Sequence, residues 1–90
     1  MGNFSVEYSS EAFSQLKDLD KTVAKRIIKK VAGAIEDPRH FFKRLTGRPE
    51  YKLRIGDYRL IADVDEVNKV IFIRSVGHRR NIYEKSKWVD

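Results

Sequence analysis

Hydrophobic and polar positions change period several times along this chain, and each change marks an element. From Phe4 to Tyr8 they alternate, with Phe4, Val6 and Tyr8 on one side and Ser5 and Glu7 on the other. That pattern predicts a short strand with one buried face. Ser9 and Ser10 offer an N-cap. Ala12, Phe13, Leu16 and Leu19 follow at helical spacing, which predicts a helix of about two to three turns. Asp20 can cap a second helix. Its apolar stripe is Val23, Ile27, Val31 and Ile35, widened by Ala24, Ile28 and Ala34, while Lys21, Lys25, Arg26, Lys29 and Lys30 take the remaining positions. This reads as an amphipathic helix with a core face and a basic face. Asp37-Pro38 ends it, because a residue before proline is pushed out of helical geometry. Two helices so closely linked form a hairpin.

Residues 39–50 read as a connection, anchored to the core by Phe41, Phe42 and Leu45 and rich in positive charge at Arg39, Lys43, Arg44 and Arg48. Three strands are then expected. Tyr51 to Ile55 alternates strictly, Gly56-Asp57 is a turn signal, and Tyr58 to Val64 is a more buried strand. Asp65 to Asn68 turns the chain into Lys69 to Val76, a near-continuous apolar run of the kind found mid-sheet with both faces covered. Gly77 to Tyr83 leaves the sheet as a short helical turn, and Trp88 and Val89 are a possible apolar anchor in the tail. The expected fold is α+β, in the order β-α-α-β-β-β(-α), with an antiparallel sheet and the helical hairpin packed on one face.

Length and composition narrow the picture. A chain of 90 residues is the size of one domain, here residues 1–90. No apolar run approaches the length that spans a bilayer, and the first residues do not read as a signal peptide. The absence of cysteine removes disulfide scaffolds and cysteine nucleophiles and fits a reducing, cytoplasmic setting. A formal charge of +6 suits a phosphate backbone or an acidic protein partner.

The cations are not spread evenly. Lys52 and Arg54 stand two apart on a strand and therefore share a face. The next strand brings Arg59 close, and the segment after the last strand adds His78, Arg79, Arg80 and Tyr83. A solvated, charged strand face is the bland explanation for any one of these; together they fit chemistry on RNA. Cleavage through a ribose 2′-hydroxyl needs a proton acceptor, a stabiliser of the charged phosphorane, and a group at the leaving 5′-oxygen. Arginine matches phosphate oxygens and stays charged. A lysine crowded by arginines has its ammonium form disfavoured, which suits a base. Tyrosine offers a stacking face. Neither a metal nor a small-molecule cofactor is expected: acidic residues are scattered, and His40 and His78 lie far apart in sequence. His40 reads as a surface residue beside Phe41.

With these residues in place, the chain resembles the RelE/ParE superfamily of bacterial and archaeal type II toxins, from Phe4 to about Tyr83. The resemblance is carried by Leu45-Thr46-Gly47, by the run from Tyr51 through Gly56-Asp57-Tyr58-Arg59 to Ile61, and by the run from Ser75 through Gly77-His78-Arg79-Arg80 to Tyr83. It implies a cytoplasmic, ribosome-dependent mRNA endonuclease that is neutralised by a cognate antitoxin, with the ribosome and mRNA as further partners. It also implies roles: Lys52 and Arg54 as the two basic positions of the first meander strand, Arg59 at the transition state, Arg79 near the leaving group, and Tyr83 against the RNA. Arg54 departs from the lysine often found there and is a poorer proton acceptor. Arg44, Arg48, His78 and Arg80 are candidate RNA-binding residues. Two other readings fit the same fold: a ParE-like toxin that inhibits gyrase, and an inactive RNA-binding homologue.

Overall fold

A computed structural model describes residues 4–84. In chain order the elements are β1 (Ser5–Tyr8), α1 (Ser10–Asp18), α2 (Lys21–Ala34), α3 (Pro38–Phe41), β2 (Lys43–Arg44), β3 (Tyr51–Ile55), β4 (Tyr58–Asp65), β5 (Val70–His78) and α4 (Arg79–Glu84). The helix starts follow their expected chemistry. Ser9 Oγ accepts from the Ala12 N–H at 3.0 Å, and Asp20 Oδ2 accepts from the Thr22 N–H at 3.2 Å; each satisfies a donor that a first turn leaves unpaired.

The sheet order is β1-β5-β4-β3-β2. β3, β4 and β5 form the expected antiparallel meander. β1 joins β5 in parallel, with Val6 beside Ile71 and Tyr8 beside Ile73, so the sheet is mixed rather than wholly antiparallel. Alternation in β1 specifies a buried face but not a direction, and the helical hairpin is long enough to serve as a crossover. The stretch expected to be a plain connection also holds two elements. Pro38, with its fixed φ at the first helical position, starts the single turn of α3, and two-residue β2 pairs with β3. Neither is long enough to show a period. Phe42 and Leu45 are buried as expected.

α1 and α2 cover one sheet face. Ala12, Leu16, Ile27, Val31 and Ala34 pack there against Leu53, Ile55, Leu60, Ala62, Ile71, Ile73 and Val76. Two residues of the expected helical stripes stay outside: Phe13 is 59% exposed and Ile28 48%. Their neighbours Ala12 and Ile27 occupy the sheet-facing positions, and one residue further round the helix turns outward by about 100°. On the opposite sheet face Leu45, Ile61 and Ile82 form a smaller cluster. The sheet is thus covered from both sides at its centre, as the apolar run of β5 implies. The register between β4 and β5 shifts beside Ile61 and Ala62, where β5 carries Arg74 as an extra residue. The edge of β5 beyond β1 is closed by a side chain: Gln15 Oε1 accepts from the Val76 N–H at 2.6 Å and from the Ser75 hydroxyl at 3.3 Å. Trp88 and Val89 lie outside the described residues.

Candidate functional site

The site begins with a turn. β3 and β4 are joined by two residues, and Gly56 at the first of them has φ +59°. This is the type II′ geometry, which glycine adopts without steric cost and which matches the twist of the flanking strands. The turn fixes Ile55 opposite Tyr58, and every later pair follows: Arg54 opposite Arg59 and Lys52 opposite Ile61. Leu53 and Ile55 are buried under the helices, so Lys52 and Arg54 project from the other face. β2 places Lys43 opposite Lys52, and β5 places Gly77 opposite Arg59. Directly opposed residues have Cβ atoms about 4.5–5.5 Å apart. Four cations therefore fill two adjacent rows, Lys43–Lys52 and Arg54–Arg59. Lys43 enters this group through the register alone; a strand of two residues has no period by which the sequence could announce it.

Arg59 is the anomaly of the face. It is only 6% exposed, and its Nη1 donates to the carbonyl oxygens of Gly56 at 2.9 Å and Tyr58 at 3.0 Å. Those bonds satisfy donors and hold the guanidinium in place without neutralising it. Among the described residues it has no ion pair. A buried cation without a carboxylate is costly, and an anion brought to this face would relieve that cost. Gly77, opposite it, contributes no side chain.

The other candidates are distributed around this centre. The Arg79 N–H donates to the Asp57 carbonyl at 2.8 Å, which fastens the start of α4 to the β3–β4 turn and keeps Arg79 near Arg59. Arg79 and Arg80 are both exposed. Tyr83 belongs to α4, and its side chain lies outside the described residues. His78 is directly opposite Tyr58 on the helix-covered face, with the rings edge to face at 5.4 Å. It therefore stands apart from the cationic rows, contrary to its expected membership of them, because strand residues alternate and Gly77 takes the cationic side. Its Nδ1 accepts from the Arg80 N–H at 3.3 Å, and it lines a cleft with Glu11, Gln15, Asp18 and Tyr58.

Arg44 is likewise separated. It is opposite Tyr51, donates to the Tyr51 hydroxyl at 3.0 Å, and lies 5.2 Å over that ring, on the reverse side from Lys52. Arg48 sits in the β2–β3 loop with its Nε 3.1 Å from Glu50 Oε1. Burial pushes the Glu50 carboxyl up. Hydrogen bonds from Arg48 and its own N–H, with the charges of Arg48 and Arg74, outweigh this and hold it below the usual carboxylate range. Arg74 in turn pairs with Asp63 at 2.6 Å. The loop is closed by the Leu45 N–H bonding to the Glu50 carbonyl at 2.9 Å, and Leu45 packs against Ile61 and Ile82 beside the cationic rows.

A small α+β domain with cations gathered on one sheet face can be set beside known proteins. Residues 6–83 match the family described as the ParE toxin of the type II toxin–antitoxin system parDE. The mRNA interferase toxin RelE of Escherichia coli strain K12 is 32% identical over 79 residues, covering 84% of this chain and 83% of RelE. Among solved structures, a double arginine-to-alanine mutant of the E. coli toxin RelE in the free state superposes with a TM-score of 0.79 at 28% identity, covering 98% of this chain and 95% of the other. The archaeal RelE–RelB complex from Pyrococcus horikoshii gives 0.73 at 26% identity, over 91% of this chain and all of that one. The chain belongs to the RelE/ParE superfamily of type II toxins.

Proposed function

We propose that this chain is the toxin of a type II toxin–antitoxin pair and an endoribonuclease that cuts mRNA on the ribosome. The observation that carries this reading is Arg59: a nearly buried, fixed guanidinium with no ion pair among the described residues, directly opposite Arg54 and in the row next to Lys43 and Lys52. The reaction it suits is internal transesterification. The ribose 2′-oxygen attacks phosphorus, the bond to the 5′-oxygen breaks, and the products are a 2′,3′-cyclic phosphate and a free 5′-hydroxyl. Arg59 and Arg54 stabilise the extra charge on the phosphorane. Lys52, in its neutral amine form, takes the 2′-hydroxyl proton, and the leaving 5′-oxygen, faced by Arg79, takes its proton from water. Tyr83 stacks on a base. Arg44, Arg48 and Arg80 supply further RNA contacts from the periphery, while His78 acts from the other side of the sheet.

Such a site lacks a strong acid–base pair. It depends on a partner that holds the RNA in line, which is a large entropic contribution and accounts for ribosome dependence. The E. coli and archaeal relatives were solved with the antitoxin RelB, which supports a cognate antitoxin here. No helix among the described residues is long and apolar enough to cross a membrane, and we place the protein in the cytoplasm. The family description favours a second reading, inhibition of gyrase without RNA cleavage. Mapping mRNA 5′ ends in a translation extract separates the two. New ends at ribosome-occupied codons, absent from naked RNA, are expected. Intact message with blocked DNA supercoiling would replace the ribonuclease reading by the gyrase one.

A further inference from the structure

Between α2 and the outer edge of β3 runs an open groove of about 460 Å³. Its lining includes Arg26, Lys29, Gly33, Phe41, Arg54 and Ile55. Three features of it are unexplained by folding alone. The first is Gly33. A glycine inside a helix weakens it relative to alanine, yet a Cβ built at Gly33 meets nothing within 4 Å. Packing does not require the glycine, and its effect is to keep the groove wide. The second is the edge itself. In the two-residue β3–β4 hairpin, Ile55 and Tyr58 exchange the closing hydrogen bonds, so Leu53 and Tyr51 bond towards β4. Lys52 and Arg54 then point their N–H and C=O groups outward. β2 takes those of Lys52 through Lys43 and ends there. On its outer side, away from β4, no strand among the described residues pairs with Arg54, and its outward backbone groups open into the groove. The third is charge. Arg26, Lys29 and Lys30 line an apolar floor made by Ala34, Phe41 and Ile55.

We propose that this edge receives an extended acidic segment of the partner antitoxin as an added strand beside β3, an inference that rests on the toxin reading above. Strand addition uses the Arg54 N–H and C=O for main-chain bonds and the groove for alternate side chains. Successive residues of an added strand face opposite ways. Its apolar residues enter the groove towards Gly33, Phe41 and Ile55. Its carboxylates between them lie on the cationic sheet face, beside the Arg54 guanidinium. The segment therefore carries alternating apolar and acidic residues, and each carboxylate at Arg54 displaces an RNA phosphate. Arg54 is thus shared: its backbone serves the partner, and its side chain can hold the partner or the message but not both.

The test uses the full chain, labelled with ¹⁵N, and a capped octapeptide of alternating valine and glutamate. The expected result is a saturable shift and slowed exchange of the Arg54 amide, with shifts at Gly33 and Ile55. Gly33→Leu adds bulk to the groove wall from a position whose Cβ meets nothing within 4 Å. It is expected to fold with an unchanged or higher melting temperature and to bind the peptide at least about tenfold more weakly. An octapeptide with lysine in place of glutamate is expected not to bind. The proposal is overturned by an unmoved Arg54 amide at millimolar peptide, by equal binding to folded Gly33→Leu, or by equal binding of the lysine peptide. It is also overturned if a uridine oligonucleotide shifts the Lys29 and Gly33 amides on α2, away from the cationic rows, which would make the groove an RNA site. None of these readouts involves cleavage, so the ribonuclease reading stands or falls separately.

Discussion

At the scale of single residues, Arg59 combines two duties that mutation can separate. Its guanidinium supports the β3–β4 turn through two carbonyls and presents charge to the sheet face. Arg59→Ala is expected to lower stability by about 1–3 kcal/mol, the cost of unpaired buried groups, and to remove most cleavage. Arg79 engages the turn through its backbone N–H. Arg79→Ala is expected to reduce cleavage while stability changes by less than about 0.5 kcal/mol. Denaturant melts run beside the mRNA assay check both; equal destabilisation by the two variants would contradict the assignment. Lys69 offers a contrasting case, because it adopts a left-handed φ of 58° at the end of the β4–β5 turn. Lys69→Gly relieves strain worth about 1–2 kcal/mol and gives up a contact of its ammonium 5.0 Å over the Phe4 ring, worth about 0.5–1 kcal/mol. A rise of a few degrees in melting temperature is the expected net result.

At the scale of elements, the sequence was legible where a period ran for several residues. The stripe of α2 is an example: Val31 is 1% exposed, and Val31→Asp is expected to cost several kcal/mol, because an unpaired charge would enter the core. A folded, equally stable variant by calorimetry would contradict that placement. The pairing of Lys52 with Arg54 on one face, and their proximity to Arg59, were legible for the same reason. Legibility failed where an element was too short or where partners were remote. β2 has two residues, so Lys43 could not be matched to Lys52 in advance. His78 and Gly77 differ by one position in a strand, which is enough to exchange faces. The β2–β3 loop is held by a carboxylate that the sequence places amid cations without showing its contacts. Because the Glu50 carboxyl is held below its usual range in the folded state, its contribution is complete above that range and disappears as pH falls through the lower folded value. Glu50→Gln is therefore expected to lose less melting temperature than the parent between pH 5 and pH 3. A parallel decline in both proteins would mean that the loop is held by packing alone.

At the scale of the whole molecule, binding to RNA is expected to be strongly electrostatic. If Lys43, Lys52, Arg54 and Arg59 each neutralise one phosphate of a single strand, the logarithm of affinity falls against the logarithm of salt with a slope of about −3. Lys43→Ala should make that slope shallower by about 0.7, measurable by anisotropy with a short, non-cleavable oligonucleotide. An unchanged slope would place Lys43 outside the interface. The opposed pairs Lys43–Lys52 and Arg54–Arg59 have one more consequence. Folding brings like charges face to face, whereas the unfolded chain disperses them, so mobile ions that blunt the repulsion favour the compact form. Added salt should then move two properties in opposite directions, raising the melting temperature of the free protein while loosening its hold on nucleic acid. Sulfate or phosphate, which can sit among the four cations, should raise it further than chloride at equal ionic strength, by mass action on the folded state. For this chain a dilute, anion-poor buffer is the harsher environment.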